Sequence, residues 1–164
     1  MRKVFVLFLI IVSSAKLAAQ NYDFQQRIKL LESLETLNNA YNQKDYAFVE
    51  NYFKDVLYLQ KNEDIQWEKA DINNYLHSVQ LFMRENSIFK MNDIEIQQSS
   101  RDKDIYSATY QHEWTSEHYS NSGYMFILFD LCDNSNPIVQ ICVWATGKDI
   151  NKDSLPTLYD FPTK

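Results

Sequence analysis

Two of the three histidines in the chain lie six residues apart, in the stretch HEWTSEH from His112 to His118. Histidines and glutamates this close together could bind a metal ion or carry out acid–base chemistry. A zinc protease motif, however, places its two histidines four residues apart on one face of a helix. A spacing of six puts His112 and His118 about 120° apart on a helix, or roughly 20 Å apart on a strand. We therefore expect no metal site here and place His118 in a solvated loop.

His112 remains a candidate functional residue by itself, because bulky and polar residues alternate around it as in a β-strand. The bulky side chains fall at every second position: Tyr106, Ala108, Tyr110, His112 and Trp114. The residues between them are mostly polar, so the aromatic face is expected to point to the core. A histidine on such a wall can be a buried core residue, a hydrogen-bond donor to a ligand or a general base.

A catalytic His112 would need a carboxylate that fixes its tautomer and exchanges its proton. Asp64 follows the first predicted strand, and Asp130 lies inside the apolar run YMFILFDLC. An aspartate within an apolar run is costly unless it is paired or the strand ends there. Asp130 can therefore be either a partner of His112 or the end of a strand.

The segments that must position these residues are helices first and strands afterwards. Apolar residues recur at helical spacing in 25–42, 46–53 and 72–86, and Asp45 and Asp71 are placed to cap the second and third helices. The predicted buried stripe of the first helix is Ile28, Leu31, Leu34, Leu37 and Tyr41. Strands are predicted over 56–59, 90–98, 104–116, 122–132 and 137–147. This order indicates an α+β domain.

The same order of elements resembles the nuclear transport factor 2-like superfamily, in particular its SnoaL-like and ketosteroid-isomerase-like branches. The resemblance rests on AYNQKDYAFVENYFKDVLYL, from Ala40 to Leu59, between two longer helices, and it covers residues 24–147. It implies three N-terminal helices packed on a strongly curved, mostly antiparallel sheet. Such a sheet forms a cystatin-like cone with a pocket at its wide end.

The resemblance leaves three functions open. The first is a domain that binds a small ligand or a partner and has no complete catalytic set. The second is an isomerase- or dehydratase-like enzyme that uses His112 with Asp64 or Asp130, as an Asp–His pair does in relatives. A closed His112 without an accessible cavity would argue against this enzyme. The third is a module that binds another protein through its sheet.

The resemblance also implies a ligand and an oligomeric state. The ligand is expected to be small and either apolar or a carboxylate, with no cofactor. The expected pocket residues are Tyr41, Tyr58, Trp67, Tyr110 and Trp114. Relatives often dimerise through the open face of the sheet, so a homodimer is expected.

The N-terminus is typical of a secretory signal peptide. Arg2 and Lys3 precede an apolar run from Val4 to Val12, and small residues follow as far as Ala19. The apolar run is too short to span a membrane. We expect cleavage after Ala19 and a periplasmic or secreted protein with no membrane attachment, in which residues 148–164 form a C-terminal tail.

Charge, glycine and cysteine content exclude several functions. Three of the 16 basic residues lie in residues 1–19, which leaves 13 against 22 acidic residues, a formal charge of −9. Such a surface repels nucleic acid and anionic lipid. Only two glycines are present, so a glycine-rich phosphate loop is excluded. Cys132 and Cys142 lie at unequal distances from a predicted turn, too far apart along the strands for a disulfide, and we predict two thiols.

Overall fold

The computed structural model describes residues 2–54, 56–61, 67–132, 137–146 and 152–161. The helices are α1 (Arg2–Gln43), α2 (Tyr46–Tyr52) and α3 (Ile72–Arg84). The strands are β1 (Leu57–Lys61), β2 (Trp67–Lys69), β3 (Ile88–Gln98), β4 (Ile105–Thr115), β5 (Ser120–Asp130) and β6 (Ile138–Thr146). Two short 3-10 helices follow, Lys152–Ser154 and Leu158–Asp160. The predicted α+β class and the three helices are confirmed, whereas β2 was not predicted.

All six strands form one curved sheet in the order β2-β1-β6-β5-β4-β3. Every pair is antiparallel except β1 with β6. A bulge interrupts β3 between Asn92 and Glu95, where Asp93 adopts a positive φ of 51°. Bulges bend a strand and increase its twist, so this bulge helps β3 and β4 curve around the helices.

The helices pack on the concave face through one apolar stripe each. On α1 the buried stripe is Leu30, Leu34, Leu37, Ala40 and Tyr41. The prediction that Leu31 belongs to it is wrong, because Leu31 is 46% exposed and its neighbour Leu30 takes the core position. Asp45 accepts a hydrogen bond from the Phe48 amide and Asp71 from the Asn73 amide, which confirms both predicted helix caps.

The first described side-chain contacts of α1 with the sheet involve residues just after the predicted cleavage site. The Tyr22 hydroxyl donates to Asp104, at 2.5 Å, and the Tyr106 hydroxyl donates to Asp23, at 3.1 Å. Arg27 pairs with Asp23 and donates to the Ile96 carbonyl. Tyr22 and Asp23 thus pack on the rest of the domain. No helix within the described residues is apolar enough over a sufficient length to cross a membrane.

The central strands of the sheet are buried on both faces. The predicted inward face of β4 is confirmed, since its bulky residues from Tyr106 to Trp114 are buried beneath the helices. The opposite face carries a second apolar cluster, in which Phe126, Leu128 and Val143 pack against Leu158. Residues on both sides of β5 and β6 are therefore shielded from solvent.

The two cysteines are not joined by a disulfide, as predicted. Cys142 lies opposite Ile127 in the β5–β6 pair, whereas Cys132 lies beyond the end of β5. Cys142 is buried, and burial raises the pKa of its thiol, so it acts as a small apolar core residue.

Candidate functional site

His112 lies in the middle of the sheet, with Met91 opposite it on β3 and Gly123 opposite it on β5. Its ring stacks on Trp144, with a centroid distance of 3.8 Å and an interplanar angle of 26°. A Cβ atom at position 123 would overlap the Ala145 carbonyl oxygen and come within 2.8 Å of His112 Cε1. Gly123 is therefore required by the close approach of the imidazole and the neighbouring backbone.

The surroundings of His112 keep its imidazole neutral. The side chain is fully buried, and neither ring nitrogen has a hydrogen-bond partner among the residues that the structure describes. Burial disfavours the charged form and lowers the pKa of His112 from 6.5 to about 3. A general base is most effective when its pKa lies near the working pH, so His112 in this state is a poor base.

Of the two predicted carboxylate partners, Asp130 does not lie beside His112. Asp130 lies seven residues along β5 from Gly123, which is more than about 20 Å at the rise of a strand. It accepts hydrogen bonds from the Cys132 amide and from Gln140 Nε2. Assigning Asp130 to a catalytic pair is thus wrong: it ends the strand. Asp64 lies outside the described residues.

Most of the predicted pocket aromatics fill the core instead. The Tyr41 hydroxyl lies 2.7 Å from that of Tyr75, and the Tyr110 hydroxyl donates to Met125 Sδ. Burial raises the pKa of each of these three tyrosines, so their hydroxyls stay protonated. Trp114 is fully buried. The long α1 brings Tyr41 to within 5.2 Å of Trp114, measured between ring centroids, which leaves no room for a ligand there.

A cleft of about 220 Å³ opens between α3 and the strands β1 and β6. It is lined by Tyr58, Gln60, Asn74, Tyr75, Ser78, Val79, Phe82 and Trp144. Of the predicted pocket residues, Tyr58 belongs to this lining. Trp67 begins β2, and its side chain lies outside the described part of the structure. None of the described lining residues carries a charge.

One side chain, Trp144, both lines the cleft and contacts His112. Trp144 lines the cleft, and its ring contacts Tyr75, at 5.0 Å, as well as the imidazole of His112. Tyr58 stacks on Tyr75 at 5.4 Å. His112 itself is absent from the described lining. A ligand in the cleft would therefore touch the aromatic group that packs on His112, and not the imidazole.

Comparison with solved structures identifies the fold. An NTF-2-like protein of unknown function from Shewanella oneidensis matches with a TM-score of 0.55 and 11% identity, over 73% of this chain and 98% of that one. The beta subunit of the benzoate 1,2-dioxygenase from Burkholderia mallei matches with a TM-score of 0.51 and 11% identity, over 80% and 95%. The chain has the nuclear transport factor 2-like fold. No protein-family model and no curated protein sequence matches it.

The sequence contained one signal for the cleft residues that the prediction missed. Asn74, Ser78 and Phe82 recur at four-residue spacing, which places them in one row along α3. This row borders the buried stripe that contains Val79 and Met83. Polar residues beside an apolar stripe are ordinary on a surface helix. The row can therefore be recognised as part of a cleft only from the positions of β1 and β6 in the folded structure.

A larger groove of about 640 Å³ lies on another side of the domain, between α1, α2 and the start of β6. It is lined by Lys29, Glu32, Ser33, Thr36, Phe48, Asn51, Tyr52, Lys54, Pro137, Ile138 and Val139. Several of these side chains are exposed, and both signs of charge occur among them. The cleft beside α3 is smaller but more aromatic, and of the two it is the one that touches a group packed on His112.

The HEWTSEH stretch contains the end of a strand and a loop. His112 lies on β4, whereas His118 is exposed in the loop between β4 and β5. The third histidine, His77, is exposed on α3. Within the described residues, no three side chains of the metal-binding types come together. The structure thus separates the buried His112 from the exposed His118.

Proposed function

We propose that the protein is an exported binding domain without catalytic activity, which holds a small uncharged ligand in the cleft beside α3. The lining of the cleft carries this proposal, because four aromatic rings lie next to Gln60, Asn74 and Ser78. Aromatic walls with a few polar groups are typical of small-molecule sites. The volume of 220 Å³ is below the ~300–1,000 Å³ of usual pockets, which favours a ligand built on a single ring.

The polar groups of the cleft favour an uncharged ligand over a carboxylate. Gln60 and Asn74 each offer a hydrogen-bond donor and an acceptor, which suits an amide or a hydroxyl group. A carboxylate would lose part of its hydration there without gaining an opposite charge, which costs free energy. Of the two ligand classes expected from the sequence, the apolar one with a neutral polar group fits better.

The burial of His112 argues against the acid–base enzyme. Its imidazole is fully enclosed, is neutral at pH 7 and contacts no carboxylate among the described residues. One observation favours the enzyme as a second candidate: the two ring nitrogens have no partner in the described part of the chain and lie behind Trp144, which lines the cleft. This alternative requires Trp144 to turn aside and Asp64 to reach the imidazole.

Benzamide and benzoate form a matched pair of probes, because they share size and shape and differ in charge. We expect benzamide to bind the purified protein and benzoate to bind at least about ten-fold more weakly, a difference of about 1.4 kcal/mol. NMR titration, with shifts mapped on α3 and β6, measures both affinities. Ser78→Phe fills the cleft from an exposed helix position and should abolish binding, whereas Ser78→Ala should preserve it.

The proposal fails if neither probe gives a saturable shift, or if benzamide binding survives Ser78→Phe. His112→Leu separates the two candidate functions. The binding domain predicts a benzamide affinity unchanged within about two-fold, because His112 is not part of the lining. A loss of more than about ten-fold, equal to about 1.4 kcal/mol, would favour the enzyme.

Export rests on the N-terminal residues alone and is tested separately. We expect the full chain, expressed in a Gram-negative host, to be recovered from the periplasmic fraction with Gln20 as its first residue. N-terminal sequencing of the fractionated protein measures this. An intact chain that stays in the cytoplasm would contradict export and leave the binding proposal standing.

A further inference from the structure

The larger groove, between α1, α2 and the start of β6, has no part in the proposed function. Its volume of about 640 Å³ lies within the ~300–1,000 Å³ of usual small-molecule pockets. The side chains that α1 contributes share one face of the helix, and they are Lys29, Glu32, Ser33 and Thr36. From residue 29 to residue 36 this face is about 10 Å long, at the rise of an α-helix. This α1–α2 groove therefore has room for a narrow, extended ligand.

The α1–α2 groove is open because the sheet is incomplete at this point. β6 pairs with β5 from Ile138 onwards, whereas β1 joins the other side of β6 only at Ile141. Among the described residues, no strand lies beside residues 138–140 on that side. Pro137, Ile138 and Val139 form an apolar wall of the groove, in which Ile138 is 50% exposed. The wall thus presents apolar surface that a ligand can cover.

Hydrogen-bond donors line the helical side of the groove. The Ser33 hydroxyl on α1 lies 3.0 Å from the Tyr52 hydroxyl on α2, and either can be the donor. This bond uses one of the two hydroxyl hydrogens, so the other is left for an acceptor on a ligand. Burial raises the pKa of Tyr52, so its hydroxyl stays protonated. The exposed amide of Asn51 adds a further donor.

The charge of the groove is opposite to that of the whole protein. Its described lining contains Lys29 and Lys54 against Glu32, a formal charge of +1, whereas the chain carries −6. Lys54 is exposed just after α2. A local positive charge attracts an anion even when the rest of the surface repels it. Charge complementarity therefore favours an anionic ligand here, in contrast to the uncharged lining of the cleft beside α3.

We propose that the α1–α2 groove is a second binding site, which takes a carboxylate that carries an unbranched apolar chain. The carboxylate pairs with Lys54, and the chain covers Ile138 and the ring of Phe48, which packs on Tyr52 at 5.9 Å between centroids. An exposed ion pair alone contributes little to affinity. Burial of the apolar chain supplies the rest, so the site selects ligands that have both parts.

Octanoate and octanamide are matched probes for this site, because they share the chain and differ in charge. NMR titration of the purified protein measures both affinities and maps the shifts. We expect saturable shifts at residues 29–36 and 137–139 with octanoate, and about five-fold weaker binding of octanamide. The affinity for octanoate should also fall with added salt, because salt screens an exposed ion pair.

Substitutions separate the charged part of the site from its shape. Lys54→Gln should weaken octanoate binding about five-fold and leave octanamide binding unchanged within about two-fold. Lys90→Gln removes the same charge from an exposed position on β3, outside the groove, and should change neither affinity. Thr36→Trp fills the groove from an exposed helix position and should abolish binding of both probes, whereas Thr36→Ala should preserve it.

Four results would overturn the proposal. They are no saturable shift with octanoate, equal affinities for the two probes, octanoate binding that survives a folded Thr36→Trp variant, and an affinity that Lys54→Gln leaves unchanged. Ser78→Phe, which fills the cleft beside α3, should not alter octanoate binding. The two sites are therefore tested independently, because benzamide is expected to respond to Ser78→Phe and octanoate to Thr36→Trp.

Discussion

The two faces of this sheet are each buried at their centre, but by different means. On the inner face, Trp114 and His112 lie beneath helices, and their rings contact other rings at centroid distances of 3.8–5.4 Å. On the outer face, Phe126 and Val143 are shielded by one short segment. Residues with low solvent exposure therefore belong to a packed interior on the inner face and to a surface covered by one segment on the outer face.

The difference also bears on where the proposed ligand would bind. The inner face is filled by large side chains, and His112 is fully buried among the residues that the structure describes. The cleft lies at the edge of the inner face, where Tyr58, Tyr75 and Trp144 lie next to Asn74 and Ser78 of α3. The edge combines rings held rigidly by the core with polar groups that reach solvent.

The largest expected effect comes from opening the inner face. Trp114→Ala should lower the free energy of unfolding by about 3–5 kcal/mol, because it removes a fully buried indole from rigid neighbours. Thr109→Ala changes an outward residue of the same strand and should cost less than about 0.5 kcal/mol. Urea denaturation measures both values. Similar losses at the two positions would contradict the contrast between the faces.

Gly123 tests how tightly His112 is held. Gly123→Ala should destabilise the protein by about 1–3 kcal/mol, because the added methyl group overlaps the Ala145 carbonyl and presses on the imidazole. Ser122→Ala, at the preceding position but exposed, is the matched control and should be nearly neutral. If Gly123→Ala proved equally harmless in chemical denaturation, His112 would have space to move.

The buried His112 also makes the stability of the protein depend on pH. The unfolded chain binds a proton on His112 near pH 6.5, whereas the folded chain binds it only near pH 3. The contribution of this residue to stability is therefore lost as the pH falls from about 6.5 to 3. Relative to His112→Leu, the wild type should lose about 2 kcal/mol between pH 7 and pH 5. Denaturation curves at both pH values measure this, and equal losses would show that His112 titrates normally.

The smallest expected effect concerns the hydroxyl pair inside the core. Tyr41→Phe should cost about 1 kcal/mol, because the Tyr75 hydroxyl loses its partner in a buried site. Adding Tyr75→Phe to this variant should lower the free energy of unfolding by less than about 1 kcal/mol more, because the first substitution has already removed the hydrogen bond. A double-mutant cycle of unfolding free energies measures the coupling, and strict additivity would mean that the pair contributes nothing.

The sequence predicted the inner face well because strand alternation is a local property. Every second residue from Tyr106 to Trp114 is bulky, and a period of two fixes the face that they share. Asp45 and Asp71 were correctly placed because a helix cap depends only on its own turn. On α1 the pattern failed by one residue, since Leu30 and Leu31 are both apolar and only the packing on the sheet chooses between them.

The candidate site was harder to predict because it depends on contacts between distant residues. An aromatic side chain such as Tyr41 or Trp114 has the same sequence signature in a pocket wall as in a packed core. The position of Asp130 follows from the register between β4 and β5, which no local pattern fixes. The C-terminal segment shows no periodicity, so nothing in it predicted that Leu158 and Phe161 would cover a sheet.

The packing of the inner face and the proposed binding cleft both require that His112 is sealed inside the core and takes no part in ligand binding. An NMR titration of the His112 imidazole between pH 8 and pH 4 measures this without any substitution. We expect a neutral ring with unchanged ring shifts over the whole range, and no response to benzamide at saturation beyond that transmitted through Trp144. Protonation of His112 near pH 6, or a change in its tautomer on adding benzamide, would contradict a sealed imidazole.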